Sequence, residues 1–187
     1  QGDDRMEGGH LGDTYAFGAA YDLDTIVESS TPAAGAIDRV VFSASVVPNT
    51  VQLERDGGSL IVDLGNGLDR LTITDGLTTR QVEVFSFADG TQWRLEEVRS
   101  RLLQGNDTDD ELIGFDDRDD CLDGLGGSDR LEGGLGDDQY YFAIGSGQDA
   151  VLDRGGNDQI VFGPAITPPM LHLSNQNGDL LIQLRGE

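Results

Sequence analysis

Residues Gly105 to Phe142 read GNDTDDELI, GFDDRDDCLD, GLGGSDRLE and GGLGDDQYY followed by Phe142, four near-copies of one unit. Each copy sets an aspartate two residues before a large apolar side chain: Asp110/Leu112, Asp120/Leu122, Asp129/Leu131 and Asp138/Tyr140. The pairs recur at spacings of ten, nine and nine residues, a period that suits neither an amphipathic helix nor a hairpin meander and that matches the nonapeptide of a parallel β-helix.

Three residues of each unit, such as Gln139-Tyr140-Tyr141, suit a short strand whose middle side chain points inward, because side chains alternate faces along a strand. The other six suit a turn, where glycine takes positive φ without steric cost and lets carbonyl oxygens converge. The sixth-position aspartate adds a carboxylate. Turns two repeats apart then stack on one edge, pairing Asp110 with Asp129 and Asp120 with Asp138 around an ion with the all-oxygen shell that calcium prefers. Without the ion, two carboxylates about 4 Å apart repel by roughly 4 kcal/mol at an effective dielectric of about 20. One inward apolar residue per nine leaves a thin core, so folding is expected to be coupled to metal. An acidic, glycine-rich disordered linker shares this composition, but disorder requires no fixed offset from aspartate to apolar residue.

Across 187 residues there are 35 acidic and 12 basic side chains, a formal net charge of −23. That sign disfavours nucleic acid and anionic membrane surfaces as partners, and no apolar run is long enough to span a membrane. The single cysteine, Cys121, excludes an internal disulfide framework; its place predicts a solvent-facing residue inside a metal turn. The chain opens at Gln1-Gly2-Asp3-Asp4, already inside a repeat, and reads as a piece of a longer protein.

A second, longer repeat lies over the first. DRMEGGHLGDTYAF aligns on DRLEGGLGDDQYYF with Asp4 on Asp129, Asp13 on Asp138 and Phe17 on Phe142, an offset of 125 residues. Asp24-Thr25-Ile26 then answers to Asp149-Ala150-Val151, and Asp38–Phe42 to Asp158–Phe162, the first copy carrying five extra residues within Ser29–Ile37. Asp4, Asp13, Asp24, Asp38, Asp149 and Asp158 join the candidate metal ligands on this basis. Val51/Leu53 and Leu60/Val62/Leu64, joined by Asp56-Gly57-Gly58, predict a hairpin. Residues 69–74 and 82–87 predict two more strands, and Ala88–Thr91 a tight turn. Leu95, Val98 and Leu102 stand at helical spacing and predict a short helix over Trp93–Leu103, capped by Asp89 or Thr91, with Trp93 in the core.

The nonapeptides resemble the repeats-in-toxin, or haemolysin-type calcium-binding, family; GGLGDDQYYF is a nearly full match, and DAVLDRGGNDQIVFG resembles the way such blocks close. Residues 38–103 resemble the haemolysin-type calcium-binding related domain, notably in DRVVF, the LIVDL hairpin and FADGTQW. The resemblance implies secretion through a type I system and folding outside the cell on calcium. It also implies that each ion takes carbonyls from the first and third turn positions with the sixth-position carboxylate: Gly105, Asp107 and Asp110; Gly124, Gly126 and Asp129; Gly133, Leu135 and Asp138. Asn106, Thr108 and Leu125 depart from the unit's glycines, and GFDDRDDCLD, with one extra residue and no internal glycine, predicts an irregular turn. Asp110/Asp129 ranks first among the sites, Asp120/Asp138 next, then Asp149 and Asp158.

The expected fold is all-β: a parallel β-roll of calcium-binding nonapeptides plus a small antiparallel β linking domain with one short helix. Residues 1–42 read as the end of an upstream roll, 43–103 as the linking domain, 104–162 as a second roll and 163–187 as the start of a second linking domain. The expected function is a non-enzymatic structural module of a secreted or cell-surface protein, an adhesin, toxin or exoprotein, binding several calcium ions. The alternative is a calcium-dependent carbohydrate-binding or enzyme-accessory module, with a cell-surface glycan or a protein receptor as partner and Trp93 or Tyr140/Tyr141 as stacking platform. Neither His10 nor His172 has a Ser or Cys nearby in a nucleophile context, and no Asp-Pro bond offers a self-cleavage site.

Overall fold

The computed structural model describes residues 2–20 and 22–184. The chain divides into two compact units, Gln1–Leu102 and Leu103–Glu187.

In the first unit, β1 (Arg5–Glu7), β2 (Thr14–Phe17), β3 (Leu23–Val27) and β4 (Arg39–Phe42) wind alternately between two sheets. β1 pairs in parallel with β3, and β2 with β4, so Tyr15 meets Val40 and Phe17 meets Phe42 in register. Alternation along Thr14–Phe17 and Arg39–Phe42 sends Tyr15, Phe17, Val40 and Phe42 inward. The chain then makes the hairpin of β5 (Gln52–Asp56) and β6 (Ser59–Asp63), turning at Gly57 with φ +57.

The sheets continue past residue 42. β7 (Arg70–Ile73) adds in parallel to β3 and antiparallel to β6, and β8 (Val84–Ser86) adds in parallel to β4. Thus residues of the hairpin region extend the two sheets that the first turns began. Ile26 and Ile73 pair and are fully buried, as are Val40 and Phe85. An aromatic row closes this unit: Phe17 to Phe42 at 6.3 Å, Phe42 stacked on Phe87 at 4.7 Å, and Phe87 edge-on to Trp93 at 4.6 Å.

The helix is shorter than the sequence predicts. Gln92–Arg94 is a strand, β9, antiparallel to β8 with Trp93 opposite Phe85, and α1 spans only Leu95–Arg101. Its N-cap is Arg94, with no side-chain cap bond. Asp89 instead accepts the Thr91 N–H at 2.8 Å within the β8–β9 turn. Strand pairing wins here because it seats Trp93 against Phe87 with the Arg101 guanidinium 4.3 Å above its ring, and tertiary packing of this kind overrides local helical spacing.

The second unit contains the nonapeptide stretch Gly105 to Phe142. Its strands are β10 (Gln104–Asn106), β11 (Glu111–Ile113), β12 (Cys121–Leu125), β13 (Arg130–Glu132), β14 (Gln139–Phe142), β15 (Ala150–Leu152) and β16 (Gln159–Phe162). They form two parallel sheets, β10-β12-β14-β16 and β11-β13-β15. Consecutive repeats therefore lie in opposite sheets and alternate repeats pair: Leu112 with Leu131, and Leu122 with Tyr140, all buried. A separate hairpin, β17 (Leu171–Gln176) and β18 (Asp179–Leu184), follows. The described residues are all-β in both units, with parallel roll sheets, antiparallel hairpins and, among these residues, one short α-helix.

Two local expectations are corrected. The turn after Gly114 is well formed despite its lack of internal glycine: Phe115 is buried, its N–H donates to Asp120 Oδ2 at 2.5 Å, and Arg118 Nε stands 2.8 Å from Asp120 Oδ1. The extra residue lets the chain turn without any positive φ between Gly114 and Asp120. Cys121 opens β12 as an exposed strand residue and so is not part of a turn.

Candidate metal centre

The two-residue offset from acid to inward apolar residue fixes each carboxylate at the mouth of a strand, on the edge where turns stack. One oxygen of each acid accepts the backbone N–H of the acid two repeats earlier. In the second unit Asp110 donates to Asp129 Oδ1 at 2.9 Å and Asp129 to Asp149 Oδ1 at 3.0 Å on one edge. On the other, Asp120 donates to Asp138 Oδ1 at 2.8 Å and Asp138 to Asp158 Oδ1 at 3.0 Å. The first unit repeats the pattern, Asp4 to Asp24 at 2.9 Å and Asp13 to Asp38 at 2.7 Å, and continues from Asp38 N–H to Glu83 Oε2 at 2.7 Å. These are charge-assisted bonds, which are shorter and stronger than neutral ones. The paired acids of the sequence reading therefore adjoin, and they do so through a carboxylate and its neighbour's amide.

The second oxygen decides what such a ladder can hold. Asp129 Oδ2 and Asp138 Oδ2 are buried with no hydrogen-bond partner among the described residues. Each lies against a glycine, and a Cβ at Gly124 or Gly133 would overlap it. A Cβ at Gly105 would stand 2.6 Å from the Gly124 carbonyl oxygen and 2.7 Å from Asp110 Oδ2. Carboxylate and carbonyl oxygens thus crowd one strip of backbone where only glycine fits. A buried anionic oxygen without a donor is costly, and a hard cation is the group that an all-oxygen strip suits.

The outermost turns of the second unit differ from the inner ones. Asp110 accepts Asn106 N at 2.7 Å and Asn106 Nδ2 at 3.1 Å, while Asp120 has Phe115 N and the Arg118 guanidinium. Of the pair ranked first in the sequence, Asp129 alone keeps an unsatisfied oxygen. Gly105 and Gly124 lie within β10 and β12, Gly126 donates to the Asn106 carbonyl at 3.2 Å, and Asp107 and Leu135 are exposed, Leu135 bridging Gly155.

Burial is the leading cause that lifts the Asp24, Glu28, Asp38, Asp120, Asp138 and Asp149 carboxyls above the ordinary aspartate or glutamate value. At Asp138 the charges of Asp153, Asp158 and Asp119 push the same way, and the Asp120 N–H opposes them.

Four acids of this arrangement fall outside the sequence prediction. Glu83 ends one ladder, and Asp69 accepts the N–H groups of Ala20 and Asp22, each at 2.9 Å. Glu28 joins Asp13 and Asp38, and Asp153 joins Asp138 and Asp158, in groups whose ligand oxygens lie within 4.8 Å of one another. Glu28 and Asp153 lack the nonapeptide offset, although the 125-residue repeat aligns them with each other, whereas Asp69 and Glu83 do stand two residues before the buried Leu71 and Phe85. Of the aromatic residues considered for stacking, Trp93 and Tyr140 are buried and Tyr141 is exposed. His10 is exposed, with Nδ1 2.7 Å from the Thr31 carbonyl, and His172 is exposed on β17.

Residues 60–97, which include β6, β7, β8, β9 and the start of α1, match the family model of the haemolysin-type calcium binding protein related domain. No curated protein matches the chain. Among solved structures it is similar to the extracellular lipase LipA from Serratia marcescens, at 14% identity and a TM-score of 0.28 over 97% of this chain. The match spans 35% of the lipase's length.

Proposed function

We propose that this chain, whose residues 60–97 match the haemolysin-type calcium binding protein related domain, is a non-catalytic calcium-binding module whose ions drive its folding. The observation that carries this reading is the pair of fully buried, unpartnered oxygens, Asp129 Oδ2 and Asp138 Oδ2, set against glycines that leave no room for a side chain. Asp129 and Asp138 hold the inner ions, with Asp149 and Asp158 next along their ladders and Asp24 and Asp38 in the equivalent places of the first unit. A net charge of −23 opposes compaction until cations offset it.

The setting that fits such a site is extracellular. Calcium modules there work with dissociation constants on the order of 10⁻⁴–10⁻³ M, so the same chain stays unfolded at cytosolic calcium and folds after export through a type I system. Tandem 125-residue units suit a rigid spacer within a large surface protein or exoprotein, because stacked repeats build extended, quasi-one-dimensional bodies. No helix among the described residues is long and apolar enough to cross a membrane.

Far-UV circular dichroism during a calcium titration, with magnesium as control, tests the reading. The expected result is a disordered spectrum in chelator and β structure near millimolar calcium. Magnesium should fail, since it demands a small octahedral cage and keeps its waters. Full β structure after exhaustive chelation would overturn the proposal.

A further inference from the structure

We infer that Asp13, Glu28 and Asp38 form a three-carboxylate site for a hard cation, calcium or a lanthanide, and that Asp138, Asp153 and Asp158 form its counterpart in the second unit. This rests on the calcium reading above and adds to it an acid that no nonapeptide supplies. Each group brings three ligand oxygens within 4.8 Å of one another. Proximity of acids alone is common on protein surfaces, but here each group also contains a buried oxygen with no donor: Glu28 Oε2, on a residue 4% exposed, and Asp138 Oδ2, on a residue 0% exposed. Both point at a glycine in the same place of the long repeat. A Cβ at Gly8 would overlap Glu28 Oε2, and one at Gly133 would overlap Asp138 Oδ2.

The third acid is held by a tyrosine. Tyr15 hydroxyl donates to Glu28 Oε1, and Tyr140 hydroxyl donates to Asp153 Oδ2 at 2.5 Å. Tyr15 and Tyr140 are themselves 125 residues apart, so both units place the same phenol on the same extra carboxylate. In the first unit Asp38 Oδ1 is anchored by Asp13 N–H at 2.7 Å, and Asp13 Oδ2 by Gly9 N–H at 2.9 Å. Asp153 Oδ1 also accepts the Gly155 N–H at 2.7 Å, so the oxygens left without a donor in the two groups are Glu28 Oε2 and Asp138 Oδ2. Three carboxylates converging around a buried, donorless oxygen, with Asp13 half-buried in the first group and Asp153 and Asp158 exposed in the second, call for a counter-charge of two or three. An ammonium or guanidinium has directional N–H donors and would bond the oxygens singly; a hard spherical ion accepts all three at once.

The test counts ions on the full chain by equilibrium dialysis against calcium followed by atomic emission, for wild type, Glu28→Gln, Asp153→Asn and the double variant, with Asp129→Asn as reference. Glutamine keeps the size of Glu28 and still accepts the Tyr15 hydroxyl, so the roll should fold at saturating calcium. Each single variant should lose one tightly held ion and the double variant two. Should Glu28→Gln remain unfolded at saturating calcium, Glu28→Asp, which conserves charge and withdraws the oxygen, should lose the same single ion. Unchanged counts in the variants, while Asp129→Asn loses an ion, would overturn this inference and leave the calcium-driven roll standing. A wild-type chain that holds no calcium would overturn both.

Discussion

Leu125 holds a left-handed backbone at φ +63, in the place where the following repeat has Gly134 at φ +104. Its side chain is exposed, so little packing offsets the strain, which costs an L-residue roughly 1–2 kcal/mol. Leu125→Gly should therefore raise stability by about 1 kcal/mol, read as a higher urea midpoint at fixed saturating calcium; a lower midpoint would mean the leucine makes contacts that matter. The same scale governs pH. Burial raises the Asp24, Glu28, Asp38, Asp120, Asp138 and Asp149 carboxyls in the fold. For an acid whose folded value is raised, the proton is bound more tightly in the fold than in the open chain. Its stabilising contribution is complete below the ordinary carboxylate value, about 4, and is lost as pH rises through the raised folded value. In chelator, then, acidifying from neutral pH should increase β structure. With calcium present the sign reverses, because protons compete with the ion for the same oxygens. Dichroism titrations with and without calcium should slope in opposite directions, and parallel slopes would disconnect these acids from the metal.

Elements were legible from the sequence where one rule set them. The nonapeptide offset gave the strands around Leu112, Leu122, Leu131 and Tyr140, since burying one side chain per turn leaves the chain no other register. The hairpin β5–β6 was equally plain from its alternation and its Asp-Gly-Gly turn. Glu28 and Asp153, which the offset does not govern, are bound by tyrosines 13 residues away; Asp69 and Glu83 carry the offset, but the amides they accept lie 45 to 49 residues away, in turns outside the nonapeptide run. Trp93 sits at a position where helical spacing and strand alternation both place an apolar residue, and only the pairing with Phe85 decides between them. Trp93→Ala should accordingly cost about 3–5 kcal/mol and loosen β9 and α1 together, seen as lost near-ultraviolet dichroism and a lower thermal midpoint at saturating calcium. The departures at Asn106 and Arg118 are likewise intelligible only in the structure. Asn106 supplies a side-chain donor to Asp110 and Arg118 an ion pair to Asp120, the first acids of the two ladders, which have no earlier turn in this unit to donate an amide. These two residues end the ladders as capping repeats end other solenoids.

At the scale of the molecule, the two units carry the same ladder with different cover. In the first, Ile26 and Val40 are fully buried because β7 and β8 continue their sheets. Their counterparts in the long repeat, Val151 and Ile160, are 37% and 39% exposed. Fully burying a side chain of this size stabilises by about 1.5–3 kcal/mol, and one factor of ten in an opening equilibrium is about 1.4 kcal/mol. Two such side chains, each part-covered in the second unit, therefore separate the local stability of β3 and β4 from that of β15 and β16 by about tenfold in opening. Ions act on both in the same currency, adding about 2.7 kcal/mol per site at a hundredfold excess over the dissociation constant, so calcium shifts both openings without erasing the difference. Amide hydrogen exchange at saturating calcium should find β3 and β4 slower than β15 and β16 by about tenfold, with β12 to β14, whose Leu122, Leu131 and Tyr140 are fully buried, protected like β3 and β4. Equal protection in the two sets would mean that the ions alone set local stability and that the apolar cover contributed by residues 60–97 adds nothing measurable.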